Sequence, residues 1–400
     1  MTATVSASEP GVAKAGETYD PPSTFSSREY IPALDGLRGI AILAVMLHHF
    51  RVMVPKYVLE YPFVALESCG WIGVDLFFAL SGFLITGILI DTRGAPGYAR
   101  TFYARRALRI VPLYLVAVFV LSLVFDLGDV KWWYWTHSTN LLIAHAGRWN
   151  VTAINTTHLW SLAVEEQFYL VWPLLVALCP PRRLGLLCVA VAAGGAVFRV
   201  VLLAHGTSPV AIYTLMPTHM DGLALGGALA VARRRTGAWS ALSPWARSLG
   251  KIRAPLWGIL VALAVLVMLA LNPGADKEGA AMQAIGYPLV AVAAVTLVAA
   301  TIEAPPGSAL DRWLSSAMLR TLGKYSYCLY IVHYPLAYFL LRARPDFREL
   351  ASVGGPQMPG QLLFFAIAGA ASFAIAWVSY RVLESPFLRL KRHFPMRIAK

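Results

Sequence analysis

Residues 38–49 read Arg-Gly-Ile-Ala-Ile-Leu-Ala-Val-Met-Leu-His-His, an apolar run bounded by an arginine and two histidines. An α-helix turns about 100° per residue, so eleven steps bring His49 to within about 20° of the direction of Arg38 and about 16 Å further along the axis. The two side chains therefore share one face of a predicted helix. Ionisable side chains inside a membrane are costly and usually serve chemistry or transport.

The remainder of the chain is apolar over similar lengths. Its 400 residues are 58% hydrophobic and 14% charged, and the mean hydropathy is +0.61. This pattern predicts an all-α fold, a polytopic integral membrane bundle embedded in the lipid bilayer. We expect about ten transmembrane helices, at residues 38–56, 71–92, 110–127, 159–179, 184–204, 213–232, 255–272, 283–302, 325–341 and 362–383.

The distribution of positive charge predicts the orientation of these spans. With the N-terminus in the cytoplasm, the inner segments carry 25 Lys and Arg residues and the outer segments carry eight. Inner loops of membrane proteins are enriched in Lys and Arg. We therefore expect both termini to be cytoplasmic, in a multi-pass protein of the cell inner (cytoplasmic) membrane.

The predicted organisation is one membrane domain between two tails. Residues 1–30 are rich in Ser, Thr, Ala, Gly and Pro and are expected to be disordered. Residues 31–388 form the transmembrane domain, and residues 389–400 form a basic cytoplasmic tail. The basic charge follows the inner loops, which argues against a nucleic-acid partner, and the four cysteines show no metal-ligand spacing, so no metal is expected.

A cluster of three arginines precedes the third predicted span. Arg105, Arg106 and Arg109 lie within one turn or so of a helix. One guanidinium group can donate two parallel hydrogen bonds to the oxygens of a phosphate. A multiply phosphorylated ligand is therefore one interpretation of the cluster. Ordinary inner-loop charge or contact with lipid headgroups is the alternative.

Two acidic side chains lie in other spans. Asp75 is predicted one turn from the outer face, where it could orient His49, contact an acceptor or hold a neighbouring helix. Glu165 is followed by Glu166, and at least one of them must face the bundle interior. His49 itself is a candidate general base, or else a buried histidine bonded to a backbone carbonyl. His48 points about 80° away from Arg38 and faces a different neighbour.

An aromatic outer segment over residues 128–158 is open to two interpretations. It contains Trp132, Trp133, Tyr134 and Trp135. Such residues form a belt at the membrane surface, or their faces could stack on the sugar of an acceptor.

Six motifs in a fixed order resemble the bacterial membrane acyltransferase-3 family, over about residues 30 to 390. They are Leu-Asp-Gly-Leu-Arg at 34–38 with His49, Gly-Val-Asp-Leu-Phe-Phe-Ala-Leu-Ser-Gly-Phe at 73–83, residues 102–114, residues 158–169, residues 323–330, and Glu-Ser-Pro-Phe at 384–387. Gly39 stands where the family often has alanine, a departure that looks conservative.

The resemblance implies an O-acyltransferase that uses acyl-CoA (acetyl-CoA or a short-chain acyl-CoA) as donor. The acceptor would be a hydroxyl of a carbohydrate, a glycolipid or a macrolide-type natural product, and stand-alone macrolide or sugar O-acyltransferases are the most similar members. It assigns His49 as catalytic base or acyl relay, with Asp75 and Glu165 as acids of the cavity. Donor binding falls to Arg38, Arg106 and Arg109, with Arg105 assisting at the phosphates.

Two other classes remain open from the residues alone. A proton-coupled transporter or flippase would use His49 and the acids to carry protons, although no inverted repeat of the transporter kind is visible. A membrane scaffold or sensor would keep these polar residues for structural reasons.

Overall fold

A computed structural model describes residues 30–152, 156–234, 278–343 and 357–397. Over these ranges the chain forms fifteen α-helices joined by short 3₁₀ and π-helical turns. The helices are α1 Pro32–His49, α2 Tyr61–Cys69, α3 Ile72–Thr92, α4 Tyr98–Val124, α5 Lys131–Trp135, α6 Thr139–Ala146, α7 Leu159–Leu178, α8 Leu184–Ala204, α9 Pro209–Thr214, α10 Met220–Arg234, α11 Tyr287–Glu303, α12 Ala309–Leu314, α13 Ala317–Ala343, α14 Met358–Ser379 and α15 Ser385–Arg389.

The structure is that of a helical membrane protein. In the described ranges, six helical stretches are long and apolar enough to cross a membrane, by length and composition. They are Val58–Thr92, Tyr98–Val124, Leu159–Leu178, Pro181–Ala204, Met282–Glu303 and Met358–His393. This confirms the predicted class, whereas the count of ten spans and the cytoplasmic termini stay predictions.

Several helix boundaries differ from the predicted ones. The first predicted span runs to 56, but α1 ends at His49, and the sixth, 213–232, is interrupted by a 3₁₀ turn before α10 begins at Met220. The third predicted span begins at 110, but α4 begins at Tyr98, and α13 begins at Ala317 instead of 325. Both extensions carry charged residues, which a search for apolar runs passes over although the backbone remains helical. The predicted span 255–272 lies outside the described residues, as does the predicted N-terminal tail except for Tyr30.

Glycines allow the helices to approach closely. A Cβ at Gly323 of α13 would lie 1.9 Å from the Asp35 carbonyl oxygen of α1, and a Cβ at Gly39 would lie 2.2 Å from the Leu319 carbonyl oxygen. Gly39 is therefore not a conservative departure here, because an alanine methyl would collide with the α13 backbone. Small residues at such contacts are the usual means of tight helix packing in membranes.

The contact between α3 and α10 gives a first prediction. A Cβ at Gly82 would lie 1.9 Å from the Leu223 carbonyl oxygen, whereas one at Gly194 would meet nothing within 4 Å. Gly82→Val should therefore lower the free energy of unfolding by about 1–3 kcal/mol or more, the usual cost of overpacking. Thermal melting in detergent measures this, with Gly194→Val as the matched control, and equal melting temperatures for the two variants would contradict the packing.

The extended chain that follows His49 is held in place by the side chain of Gln361. The Gln361 amide oxygen accepts hydrogen bonds from the backbone N–H groups of Val52 (2.9 Å) and Met53 (3.1 Å), and its amide N–H donates to the Phe50 carbonyl. Gln361 is fully buried. These bonds satisfy backbone groups that no helix pairs, and they fix the chain where α1 ends.

The aromatic outer segment divides between core and surface. Tyr134 is buried, and its hydroxyl lies 2.7 Å from Thr156 Oγ1, while the side chain of Trp132 is 65% exposed. His137 stacks on Tyr114 at 3.4 Å between ring centroids, and burial lowers the pKa of His137 to about 4. Tyr134 thus has a packing role, and the choice between a belt and an acceptor platform stays open for Trp132.

Candidate active site

Three histidines from distant parts of the sequence meet at the end of α1. His49 Nδ1 lies 2.9 Å from His333 Nε2 of α13. The ring of His158, just before α7, is centred 6.0 Å from that of His49 and 5.1 Å from that of His333. Tyr334 covers His49 at 4.2 Å between ring centroids. We call His49, His158 and His333 the histidine cluster.

A proline in α13 helps to position His158. Pro335 has no backbone N–H, so the Ile331 carbonyl four residues earlier lacks its helical donor. His158 Nε2 lies 3.2 Å from that oxygen and donates to it. Burial lowers the pKa of His158 well below its ordinary value, so its imidazole is neutral at pH 7.

His48 makes its hydrogen bond away from this cluster, as helical geometry predicts, although its ring centroid lies 5.3 Å from that of His49. Its Nδ1 lies 3.0 Å from the backbone carbonyl oxygen of Glu67 in α2. The two adjacent histidines therefore face different surroundings, and His49 is the one that faces the other imidazoles.

Glu165 lies farther along α7, two turns from His158. Ser81 Oγ of α3 donates to Glu165 Oε1 at 2.6 Å, and the Tyr169 hydroxyl donates to Ser81 Oγ at 3.3 Å. The cations that face this carboxylate are Arg38, Arg106 and Arg109. Glu165 is thus a half-buried acid inside the bundle, in agreement with the expectation that one of the paired glutamates faces inward.

Cations from separate segments gather beyond Glu165. The Arg106 guanidinium lies over the Tyr169 ring, 4.8 Å from its centroid, and it is in electrostatic contact with Arg38, Arg109 and Glu166. Lys391 is in electrostatic contact with Arg106 and Arg109. We call Arg38, Arg106, Arg109 and Lys391 the basic end. Sequence analysis missed Lys391 because the residue lies in the predicted tail.

Two antiparallel helices connect the histidine cluster with the basic end. On α1, Arg38 precedes His49 by eleven residues. His158, at the N-cap of α7, precedes Tyr169 of that helix by eleven residues. Each spacing corresponds to about 16 Å along a helix axis. The two ends of the site are therefore about 16 Å apart on both helices, with Glu165 between them.

Arg105 is oriented differently from the other arginines of α4. Its Nη1 donates to the backbone carbonyl oxygens of Lys391 (3.1 Å) and Phe394 (3.0 Å). The described part of the predicted tail, residues 389–397, therefore folds back onto α4. These contacts give Arg105 a structural partner, whereas its predicted assistance at the donor phosphates stays a prediction.

This contact leads to a second prediction. Arg105→Ala removes two charge-assisted hydrogen bonds, each contributing about 1.5–3 kcal/mol, and should speed amide hydrogen exchange in residues 390–397 by about tenfold or more. Arg93→Ala is the matched control, because its guanidinium donates to the Ala177 carbonyl instead. If exchange in residues 390–397 is equally fast in both variants, Arg105 does not hold this segment.

Asp75 lies in a different buried cluster. Its Oδ1 is 4.0 Å from His219 Nδ1, and Arg199 Nη2 donates to Asp221 Oδ2 at 2.5 Å. All four side chains are buried. Among the residues that the structure describes, the charged neighbours of Asp75 are thus on or next to α8 and α10, which favours the interpretation that it holds neighbouring helices.

Comparison with known proteins identifies the family of the chain. The model of the acyltransferase-3 family, described as an acyltransferase domain, matches residues 31–381. The chain belongs to this family. No solved structure matches the acyltransferase chain.

Curated relatives of this chain are longer proteins. It is 29% identical to the peptidoglycan O-acetyltransferase OatA of Listeria monocytogenes, over 91% of this chain and 57% of that protein. It is 30% identical to the putative peptidoglycan O-acetyltransferase YrhL of Bacillus subtilis, over 77% of this chain and 48% of that protein. It is 28% identical to the O-acetyltransferase OatA of Staphylococcus aureus, over 90% of this chain and 57% of that protein. The chain therefore spans about half the length of these relatives.

The candidate site thus contains most of the predicted residues and adds others. Arg38, Arg106, Arg109 and Glu165 come together, and His49 lies at the far end of the same two helices. His333 and His158 were visible in the sequence, but nothing there indicated that they meet His49. One signal was available for α13, since Pro335 within a helix frees a carbonyl oxygen for a side-chain donor.

Proposed function

We propose that this acyltransferase transfers an acetyl or other short acyl group from acyl-CoA to a hydroxyl of a carbohydrate-type acceptor. The observation that carries the proposal is that the basic end and the histidine cluster lie at opposite ends of the antiparallel helices α1 and α7. Such a site can hold an extended donor by its phosphates at one end and place its reactive group at the other.

The phosphates of acyl-CoA would bind at the basic end. Guanidinium groups bind phosphate oxygens through paired, charge-assisted hydrogen bonds. Arg106 and Arg109 supply them from α4, Arg38 supplies them from α1, and Lys391 adds a fourth basic side chain. The pantetheine arm would then run past Glu165 toward His49.

The chemistry would take place at His49. Neutral His49 accepts the proton of the acceptor hydroxyl as the hydroxyl oxygen attacks the thioester carbonyl carbon. The carbon–sulfur bond then breaks, and the CoA thiolate takes the proton from His49. In a variant of this route, His49 carries the acyl group covalently between donor and acceptor.

The acceptor class is proposed from the relatives and the resemblance together. Two of the relatives are named for peptidoglycan, whose sugars carry hydroxyl groups. We propose that a sugar hydroxyl is the acceptor here. A glycolipid or a macrolide is the alternative acceptor, and a role in antibiotic biosynthesis would follow from a macrolide.

We further propose that the protein lies in the cytoplasmic membrane with ten spans and both termini in the cytoplasm. The excess of Lys and Arg in the segments assigned to the inner side supports this orientation. In it, the basic end faces the cytoplasm, where acyl-CoA is found.

A proton-coupled transporter is the second candidate. The buried cluster of Asp75, His219, Arg199 and Asp221 favours it, because buried titratable groups in membrane helices are typical of proton relays.

One assay distinguishes the two candidates. The purified protein in lipid nanodiscs is incubated with acetyl-CoA labelled in the acetyl group, together with soluble peptidoglycan fragments or a macrolide glycoside. We expect CoA release that depends on the acceptor, with label in the acceptor, and no label transfer by His49→Ala. A protein that releases no CoA with any acceptor, and instead moves a sugar across liposomes with protons, would be a transporter.

A further inference from the structure

His333 is connected at both ring nitrogens. Its Nδ1 lies 3.0 Å from the backbone carbonyl oxygen of Leu329, and its Nε2 lies 2.9 Å from His49 Nδ1. The side chain is fully buried on α13. It thus stands between its own helix and the proposed base.

The Leu329 contact fixes which nitrogen of His333 bears hydrogen. A carbonyl oxygen only accepts hydrogen bonds, so His333 Nδ1 must be the donor. In a neutral imidazole the other nitrogen then carries a lone pair. His333 Nε2 therefore accepts, and the hydrogen of this bond comes from His49 Nδ1.

The neutral state of His333 follows from its surroundings. The rings around it belong to His49, Phe50, His158, Tyr330 and Tyr334. A buried imidazolium among aromatic side chains would be costly without a counter-charge. The alternative arrangement, in which a charged His333 donates to His49, is disfavoured for that reason.

We propose that His333 is a positioning residue that holds His49 in the tautomer with hydrogen on Nδ1 and the lone pair on Nε2. This inference rests on the proposed function, in which His49 is the base. Nε2 of His49 takes the hydroxyl proton, and Nδ1 keeps its own hydrogen and its bond to His333 throughout. When His49 becomes positively charged, that bond becomes charge-assisted and stronger, so His333 stabilises the state in which the proton has moved.

Two amide substitutions separate positioning from packing. The Oε1 of glutamine reaches about as far as Nε2 of histidine and can accept from His49, whereas asparagine is one carbon shorter and reaches only the Leu329 side. Both are polar and similar in size. His333→Gln should therefore preserve the His49 tautomer, and His333→Asn should lose it.

The first readout is kinetic and uses the full protein with acetyl-CoA and peptidoglycan fragments. We expect His333→Asn to lower kcat by about 10- to 100-fold, part of what a positioned base supplies, with the KM for acetyl-CoA within about twofold of wild type. His333→Gln should recover at least about tenfold of the loss. His48→Gln is the control, since His48 is bonded to α2.

The second readout needs no catalysis. Protein labelled with ¹⁵N-histidine shows separate signals for protonated and unprotonated ring nitrogens, and the signals lost in His49→Ala are those of His49. Wild type and His333→Gln should show hydrogen on His49 Nδ1. His333→Asn should show a mixture of His49 tautomers.

The outcomes are distinguishable from those of the proposed function. The positioning role would be overturned if His333→Asn kept the wild-type kcat and an unchanged His49 signal. It would also be overturned if the Gln and Asn variants lost kcat equally while their melting temperatures were equal. Full activity of His49→Ala would remove the proposed base, while the ¹⁵N signals would still report whether His333 sets the tautomer.

Discussion

Alanine at position 49 is expected to lower kcat for acyl transfer by about 10²- to 10⁴-fold, the usual contribution of a positioned general base. The reason is that no proton acceptor then remains on α1 at the histidine cluster. Donor binding should be preserved, because the basic end lies about 16 Å away along the helix. The measurement is acceptor-dependent CoA release, together with binding of acetyl-CoA to the same preparation.

The matched control is His48→Ala. It removes an imidazole from the neighbouring position of the same helix, but that imidazole is bonded to the Glu67 carbonyl. We expect kcat to stay within about threefold of wild type, because the group does not reach the proposed reaction centre. A comparable loss in both variants would mean that the end of α1 matters for folding, and full activity of His49→Ala would exclude it as base.

Alanine at position 106 should raise the KM for acyl-CoA by about 10- to 100-fold. A hydrogen bond to a charged group contributes about 1.5–3 kcal/mol, which corresponds to that range. Arg106 is chosen for this test of the proposed donor site because its guanidinium lies over Tyr169 next to Arg38 and Arg109. Initial rates at varied acetyl-CoA with saturating acceptor give the value, and kcat should change less than KM.

Arg100→Ala is the control for this experiment. Arg100 belongs to the same helix, but its guanidinium lies 5.9 Å from the ring centroid of Phe394 in the C-terminal segment. The KM for acetyl-CoA should stay within about twofold of wild type. A change in acceptor KM alone, with donor KM unaltered, would move the donor site away from Arg106.

Much of the fold was predictable because membrane helices are long and apolar. Most predicted spans in the described ranges coincide with helices. The predicted boundaries were inaccurate where helices carry charge, as at Tyr98 and Ala317, and where α1 ends at His49 instead of residue 56. The close contact at Gly39 was not predictable, since it depends on how far the α13 backbone lies from α1.

The candidate site was predictable only where its residues lie on one helix. The pair Arg38 and His49 follows from eleven residues of α-helical geometry. The pairing of His49 with His333 joins residues 284 positions apart, and helical periodicity carries no information at that separation. For the same reason Asp75 was considered a neighbour of His49, whereas its described ionic contacts are with the α8 and α10 side.

The sequence by itself determined the helical membrane class and the shared face of Arg38 and His49, because hydropathy and the 3.6-residue repeat act within one segment. Its motifs also determined the family. Only the tertiary structure decided which side chains meet in the candidate site, namely His333 and His158 at one end and Lys391 at the other, and that Arg105 binds the C-terminal segment. Those choices depend on packing between helices, where a glycine or a proline changes which atoms can meet.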